Sequence, residues 1–108
     1  MTTNVNIPNR GQISNLPLGA IVETNAYFSD DSVVPCMAGD IPTSIYSLIS
    51  RIVGEEETIV EAAVKRDLDI AFKAFVNDPL VTISLNDAKA LFDEMVENTK
   101  AYLTEYFK

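Results

Sequence analysis

Hydrophobic periodicity changes once along this chain, at Pro42, and that single change restricts the folds open to it. Before Pro42, apolar side chains alternate with polar ones, the period of a half-buried strand. After it they recur at intervals of three and four, the period of one helix face. Strands followed by helices predict an α+β fold. The expectation is a short antiparallel β-hairpin or small sheet in the N-terminal half, packed on three to four α-helices, the last one long. A length of 108 residues fits one domain, 1–108, with loop and strands in 1–42 and helices in 43–108.

In the first half, Thr2–Pro8 reads as a short extended segment, because Val5 and Ile7 alternate with Asn4 and Asn6. Pro8 ends it or confines it to a sheet edge. Ala20–Phe28 is the best strand. Ala20, Val22, Thr24, Ala26 and Phe28 share one face; Ile21, Glu23, Asn25 and Tyr27 share the other. Ser29-Asp30-Asp31 is a turn by composition, and Ser32–Met37 returns as the second arm of a hairpin. Pro35 cannot donate to a ladder and so implies an edge or a bulge.

In the second half, Ile45, Leu48, Ile49 and Ile52 mark a first helix, with Gly54 as its stop. Glu55-Glu56-Glu57 would then open a second helix, running to about Arg66 on the stripe Ile59, Val60, Ala63 and Val64. Asp67 is placed to cap a third over Leu68–Val76, ended by Asn77-Asp78-Pro79, the alternative at Asp67 being a bend in the chain. Ser84 with Asp87 resembles a capping box and starts a long helix to about Phe107.

Charge excludes some functions. Sixteen acidic against eight basic residues leave a net charge of −8, so nucleic acid and anionic membrane surfaces are poor partners. No apolar run reaches the roughly 20 residues that span a bilayer. The start MTTNVNIPNR lacks a signal-peptide pattern, and one cysteine, Cys36, cannot form an intrachain disulfide; both fit a cytoplasmic setting. Cys36, in an apolar run, reads as a buried, inert thiol. The chain has no histidine, which removes Ser-His-Asp and Cys-His catalysis. Its four glycines lack nucleotide-binding spacing. No catalytic, cofactor-binding or metal-binding residue is therefore assigned.

Candidate binding residues lie in the polar loop Asn9-Arg10-Gly11-Gln12 and its continuation Ser14-Asn15-Leu16-Pro17. Asn and Arg side chains can grip hydroxyls or a carboxylate, Arg bidentately. The bland alternative is turn chemistry. Glu23 beside Asn25 could hold a sugar hydroxyl or a metal, or form a solvated or interface face.

In order, Asn9, Gly11, Ile13, Asn15–Pro17, Val22-Glu23, Val60–Ala63 and Asp78–Val81 resemble the C-terminal part of glycoside hydrolase family 4. The wording VETN and AGDIP is similar to its α-galacturonidase and α-galactosidase-like branch. The resemblance implies a lactate-dehydrogenase C-terminal-like lobe that closes a cleft and forms homo-oligomers. It implies NAD, which oxidises a sugar hydroxyl at C3, and manganese, which polarises the carbonyl so that the leaving group is eliminated. The family's NAD loop, metal-binding Cys and His, and acid and base residues belong upstream. The chain then resembles a catalyst's last quarter, inactive alone, meeting a sugar or uronide only together with the missing N-terminal domain. Asn9, Arg10 and Asn15 become the substrate-binding candidates. Two alternatives are a stand-alone acidic interaction and dimerisation module, and a small self-sufficient enzyme using Glu23 or the acidic cluster Glu55–Glu57 and Glu61.

Overall fold

The computed structural model describes residues 1–107, which form two compact units, Met1–Ser50 and a second beginning at Arg51. The first holds β1 (Thr2–Pro8), β2 (Ile21–Phe28) and β3 (Val33–Pro35) in an antiparallel sheet of order β1-β2-β3. β1 pairs with β2 along its whole length, from Thr2 opposite Tyr27 to Pro8 opposite Ile21. The extended N-terminal segment is thus a full strand, with Pro8 at its end and the strand at an edge. β3 is shorter than the expected Ser32–Met37 arm and meets only Ala26–Phe28. Pro35 lies on an edge strand, where its missing N–H costs nothing.

Alternation along β2 divides its side chains as read: Val22, Thr24 and Ala26 are buried, whereas Ile21, Glu23, Asn25 and Tyr27 are exposed. The core of this unit adds Ile13, Leu16 and Ala20 from the β1–β2 connection. That connection is therefore no free loop, because two of its apolar side chains anchor it.

Helix α1 spans Thr43–Lys65, with its first turns in the first unit and the rest in the second. The expected stop at Gly54 does not occur, so two expected helices are one. Glycine inside a helix costs only about 1 kcal/mol relative to alanine, too little to end one with helix formers on both sides. Arg66 is the true stop. It adopts the left-handed conformation, φ 56°. Its N–H donates to Ala63 O and the Asp67 N–H to Ala62 O, the paired bonds of a Schellman end. A Cβ added at Gly54 meets nothing within 4 Å. Gly54→Ala is therefore expected to stabilise the chain by about 0.5–1 kcal/mol, read as a higher urea midpoint at unchanged slope.

Asp67 caps α2 (Leu68–Asn77) as expected, accepting from the Asp69 and Ile70 amides. Asp78 ends it before Pro79, and the Asp78 carboxylate then takes the Leu80 N–H at 2.7 Å. Ser84 caps α3 (Leu85–Thr99), accepting from the Asp87 N–H and donating to the Asp87 carboxylate. Beyond Thr99 the chain tightens into two 3₁₀ turns, Lys100–Tyr102 and Thr104–Phe107, where one helix to about Phe107 was expected. Helices α2 and α3 meet through rings: Phe92 lies 5.3 Å from Phe72 and 5.7 Å from Phe75, centroid to centroid.

Helix α1 departs from its expected burial. Its buried residues are Val53 and Ala62, while Ile45, Leu48, Ile59, Val60 and Val64 are exposed. The apolar stripe read from the sequence is only partly covered: Ile49 and Ile52 are half-buried and Ile59 borders an apolar cleft with Leu68, Phe92 and Met95, while Val60 and Val64 stay exposed. No helix among the described residues is long and apolar enough to cross a membrane.

Candidate functional site

The three candidate residues, Asn9, Arg10 and Asn15, all lie on the connection between β1 and β2. Asn9 follows β1 directly and prolongs the ladder. Its N–H donates to Ala20 O at 2.7 Å, and its carbonyl accepts from the Gly19 N–H at 2.8 Å. Its side chain then organises the turn from inside. Nδ2 donates to the carbonyls of Ile13 (2.9 Å), Leu16 (3.0 Å) and Pro17 (3.1 Å), and Oδ1 accepts from the Gly11 and Ile13 amides. Asn9 is only 2% exposed. Every hydrogen-bonding group of its carboxamide is committed to backbone.

Asn15 works in the same manner over a longer span. Its carboxamide donates to Ile41 O at 2.9 Å and accepts from the Ile41 N–H at 2.8 Å, standing in for a strand partner. Ala38 and Gly39 donate to Gln12 O, Ser14 N–H donates to Gly39 O, and the Ser14 hydroxyl contacts the Asp40 carboxylate. The loop is thus tied to the segment leading into α1. Gly11, at φ 107°, makes the reversal that a side chain would strain.

Sequence reasoning placed Gln12 in the candidate loop but missed its burial. It is 1% exposed, donates from Nε2 to Pro8 O, and accepts the Arg10 N–H at Oε1. A polar residue in a polar loop carries no periodic signal, so nothing in the sequence marked it as buried. Arg10 sits between these two buried amides. Its backbone is held by Gln12, its side chain is exposed, and among the described residues its guanidinium has no ion-pair partner.

A second feature lies on the exposed face of the sheet. Asn4, Glu23 and Asn25 share that face, and Asn4 Nδ2 donates to Glu23 Oε1 at 3.2 Å. They border a cleft of about 320 Å³ where β3 has ended, with Ile13 and Cys36 also on its walls. Cys36 is exposed, not buried as read, because the chain leaves the sheet at Pro35 before the thiol can be covered. Thr24 lies on the opposite, buried face, and among the described residues its hydroxyl has no hydrogen-bond partner.

The acidic start of the expected second helix lies within α1. There the Glu55 carboxyl is raised above its usual range by lost hydration, then by the charge of Asp78 and a hydrogen bond with it. Among the described residues no three His, Cys, Asp or Glu side chains are grouped to hold a metal ion. This donor set does not fit manganese, and the glycine spacing does not fit a dinucleotide.

Comparison with known proteins adds to this geometry. A family profile described as "Family 4 glycosyl hydrolase C-terminal domain" matches residues 1–81. The chain is 59% identical over 103 residues to an α-galacturonidase of Thermoanaerobacterium saccharolyticum, covering 95% of this chain and 22% of that enzyme. A 6-phospho-α-glucosidase from gut microorganisms, solved with NAD and glucose-6-phosphate, superposes with a TM-score of 0.87 at 36% identity, over 95% of this chain and 23% of that one. The 6-phospho-β-glucosidase of Thermotoga maritima, solved with manganese, NAD⁺ and glucose-6-phosphate, gives 0.83 at 31% identity, over 94% and 26%. The chain therefore spans about a quarter or less of the length of these relatives.

Proposed function

The chain belongs to the family 4 glycosyl hydrolase C-terminal domain, and on that premise we propose that it is the cleft-closing lobe of an NAD- and manganese-dependent glycosidase acting on α-galacturonides. In this reading the lobe positions substrate and joins copies of the enzyme, while the polypeptide that surrounds it cleaves the bond by oxidation and elimination. The chain's four glycines lack nucleotide-binding spacing, and among the described residues no group of side chains is placed to hold a metal ion, so no chemical step is routed through them.

One observation carries the reading: Arg10 presents an exposed guanidinium, without an ion-pair partner among the described residues, on a loop held from beneath by Asn9 and Gln12. A planar fork of donors matches a carboxylate bidentately, and galacturonides carry one. Asn9 and Asn15 serve the substrate through the loop's shape, since their amides are committed to backbone. The joining role is supported by the exposed Val60 and Val64 on α1, the kind of apolar surface that marks an interface.

The test is a chimera in which this chain replaces the matching stretch of the Thermoanaerobacterium saccharolyticum α-galacturonidase. With NAD, manganese and a reductant, it is expected to hydrolyse an aryl α-galacturonide within about tenfold of the parent, a cost of roughly 1.4 kcal/mol in the barrier. The 108-residue chain alone is expected to give no turnover. Activity from the isolated chain would overturn the assignment, and so would a folded chimera with none.

A further inference from the structure

Two observations meet at one place on the sheet. The first concerns backbone groups. The Asn9 N–H bonds to Ala20 O and the Phe28 N–H to Met1 O, so the even-numbered residues of β2 face β1. The odd-numbered residues face the other edge, where the Cys36 N–H bonds to Asn25 O at 2.8 Å. β3 pairs only with Ala26–Phe28, so the N–H and C=O of Glu23 face an edge with no described strand beside it. The second is the row of planar polar side chains, Asn4, Glu23 and Asn25, above the cleft.

We infer that this cleft binds a neutral, hydroxyl-rich ring, the sugar unit of a glycoside that carries no acidic group. Hydroxyls both donate and accept, which suits an edge offering N–H, C=O, amide and carboxylate together. The only charged group on the cleft walls is Glu23. A uronate or phosphate would be repelled there, and a cation would find a single carboxylate. An extended peptide strand fits less well. Ala38 is tied back to Gln12 O at 2.8 Å, so Met37 and Ala38 close the end along which a strand would have to run. The volume, about 320 Å³, is at the small end of ligand pockets and suits one compact ring. An ordinary solvated sheet face would explain the side chains, but not the recess beside an open edge that offers the Glu23 N–H and C=O.

The inference rests on the reading that this lobe faces a glycoside, and it divides the ligand. Arg10 takes the acidic unit and the cleft takes a neutral neighbour. The test is a ¹⁵N-NMR titration of the full 108-residue chain with methyl α-galactoside, and separately with galacturonate. The neutral sugar is expected to move the Asn4 and Asn25 side-chain amides and the Glu23 backbone amide, saturably. Glu23→Ala and Asn25→Ala should each weaken that binding about tenfold or more, the loss expected for a hydrogen bond to a polar ligand. Both side chains are exposed, so an otherwise unchanged spectrum verifies the fold. Absence of saturable shifts in the cleft overturns the inference, whatever galacturonate does. Galacturonate reports separately on the Arg10 loop: if it leaves that loop unmoved while the neutral sugar fills the cleft, the inference stands and the role given to Arg10 falls.

Discussion

Asn9→Ala is expected to lower stability by about 3 kcal/mol, since several buried backbone groups lose their partner and each costs roughly 1–3 kcal/mol when left unsatisfied, less what water and loop relaxation restore. In a domain of this size that is a fall of roughly 15 °C in the melting midpoint. The reason is the position of the carboxamide. It is 2% exposed and bonds three carbonyls and two amides of its own loop. Truncation removes all five bonds, and among the described residues only Ile13 O keeps another donor, the Leu16 N–H at 3.4 Å. Asn9→Asp is a sharper variant, because shape is kept while the donors to Ile13, Leu16 and Pro17 are lost and a charge is buried against those carbonyls. Burial raises the introduced carboxyl's folded pKa above its unfolded value. Its stability is then fullest at low pH and falls as pH rises through the folded pKa. Thermal melts by circular dichroism across the carboxylate range measure both effects. An Asn9→Ala chain as stable as its parent would mean that the loop is not held from within.

Arg10→Ala, placed in the chimeric enzyme, is expected to reduce kcat/KM for an α-galacturonide by about 100-fold, the worth of one bidentate charge-assisted contact of roughly 3 kcal/mol. Activity on the neutral α-galactoside should change little. Arg10→Lys should recover only part of the loss, since an ammonium keeps the charge but not the planar fork. Comparing the two substrates separates recognition from folding, because a damaged loop would depress both. Equal losses on uronide and galactoside would remove Arg10 from acid recognition. Arg10 is exposed and its side chain holds nothing together, so the chain itself should melt as the parent does.

The two effects differ in kind although the residues are neighbours. Asn9 and Arg10 stand side by side in a polar loop, and their side-chain chemistry alone made them equal candidates for gripping a ligand. Burial separates them: one amide is saturated from within, one guanidinium is left outside. Gln12 shows the same limit, since no period in the sequence distinguishes a buried glutamine from a solvated one. The acidic run Glu55–Glu57 shows it again. Its charge suggested a helix start, yet it lies within α1, because the glycine before it is a weaker signal than the helix formers around it.

By itself the sequence determined the α+β class, the strand read over Ala20–Phe28 and found over Ile21–Phe28 with its two faces, the caps at Asp67 and Ser84, and the break at Pro79. These are local matters. Alternation, a side-chain oxygen two or three residues from an amide, and a missing N–H act over a few residues and need no distant partner. The tertiary structure alone decided that Asn15 pairs with Ile41 across 26 positions, that Cys36 is exposed, that Val60 and Val64 of the α1 stripe are left open, and that β3 ends early enough to open a cleft beside Glu23. Each depends on which distant atoms exclude water from a group. That is a property of the packed chain, and periodicity in the sequence does not carry it.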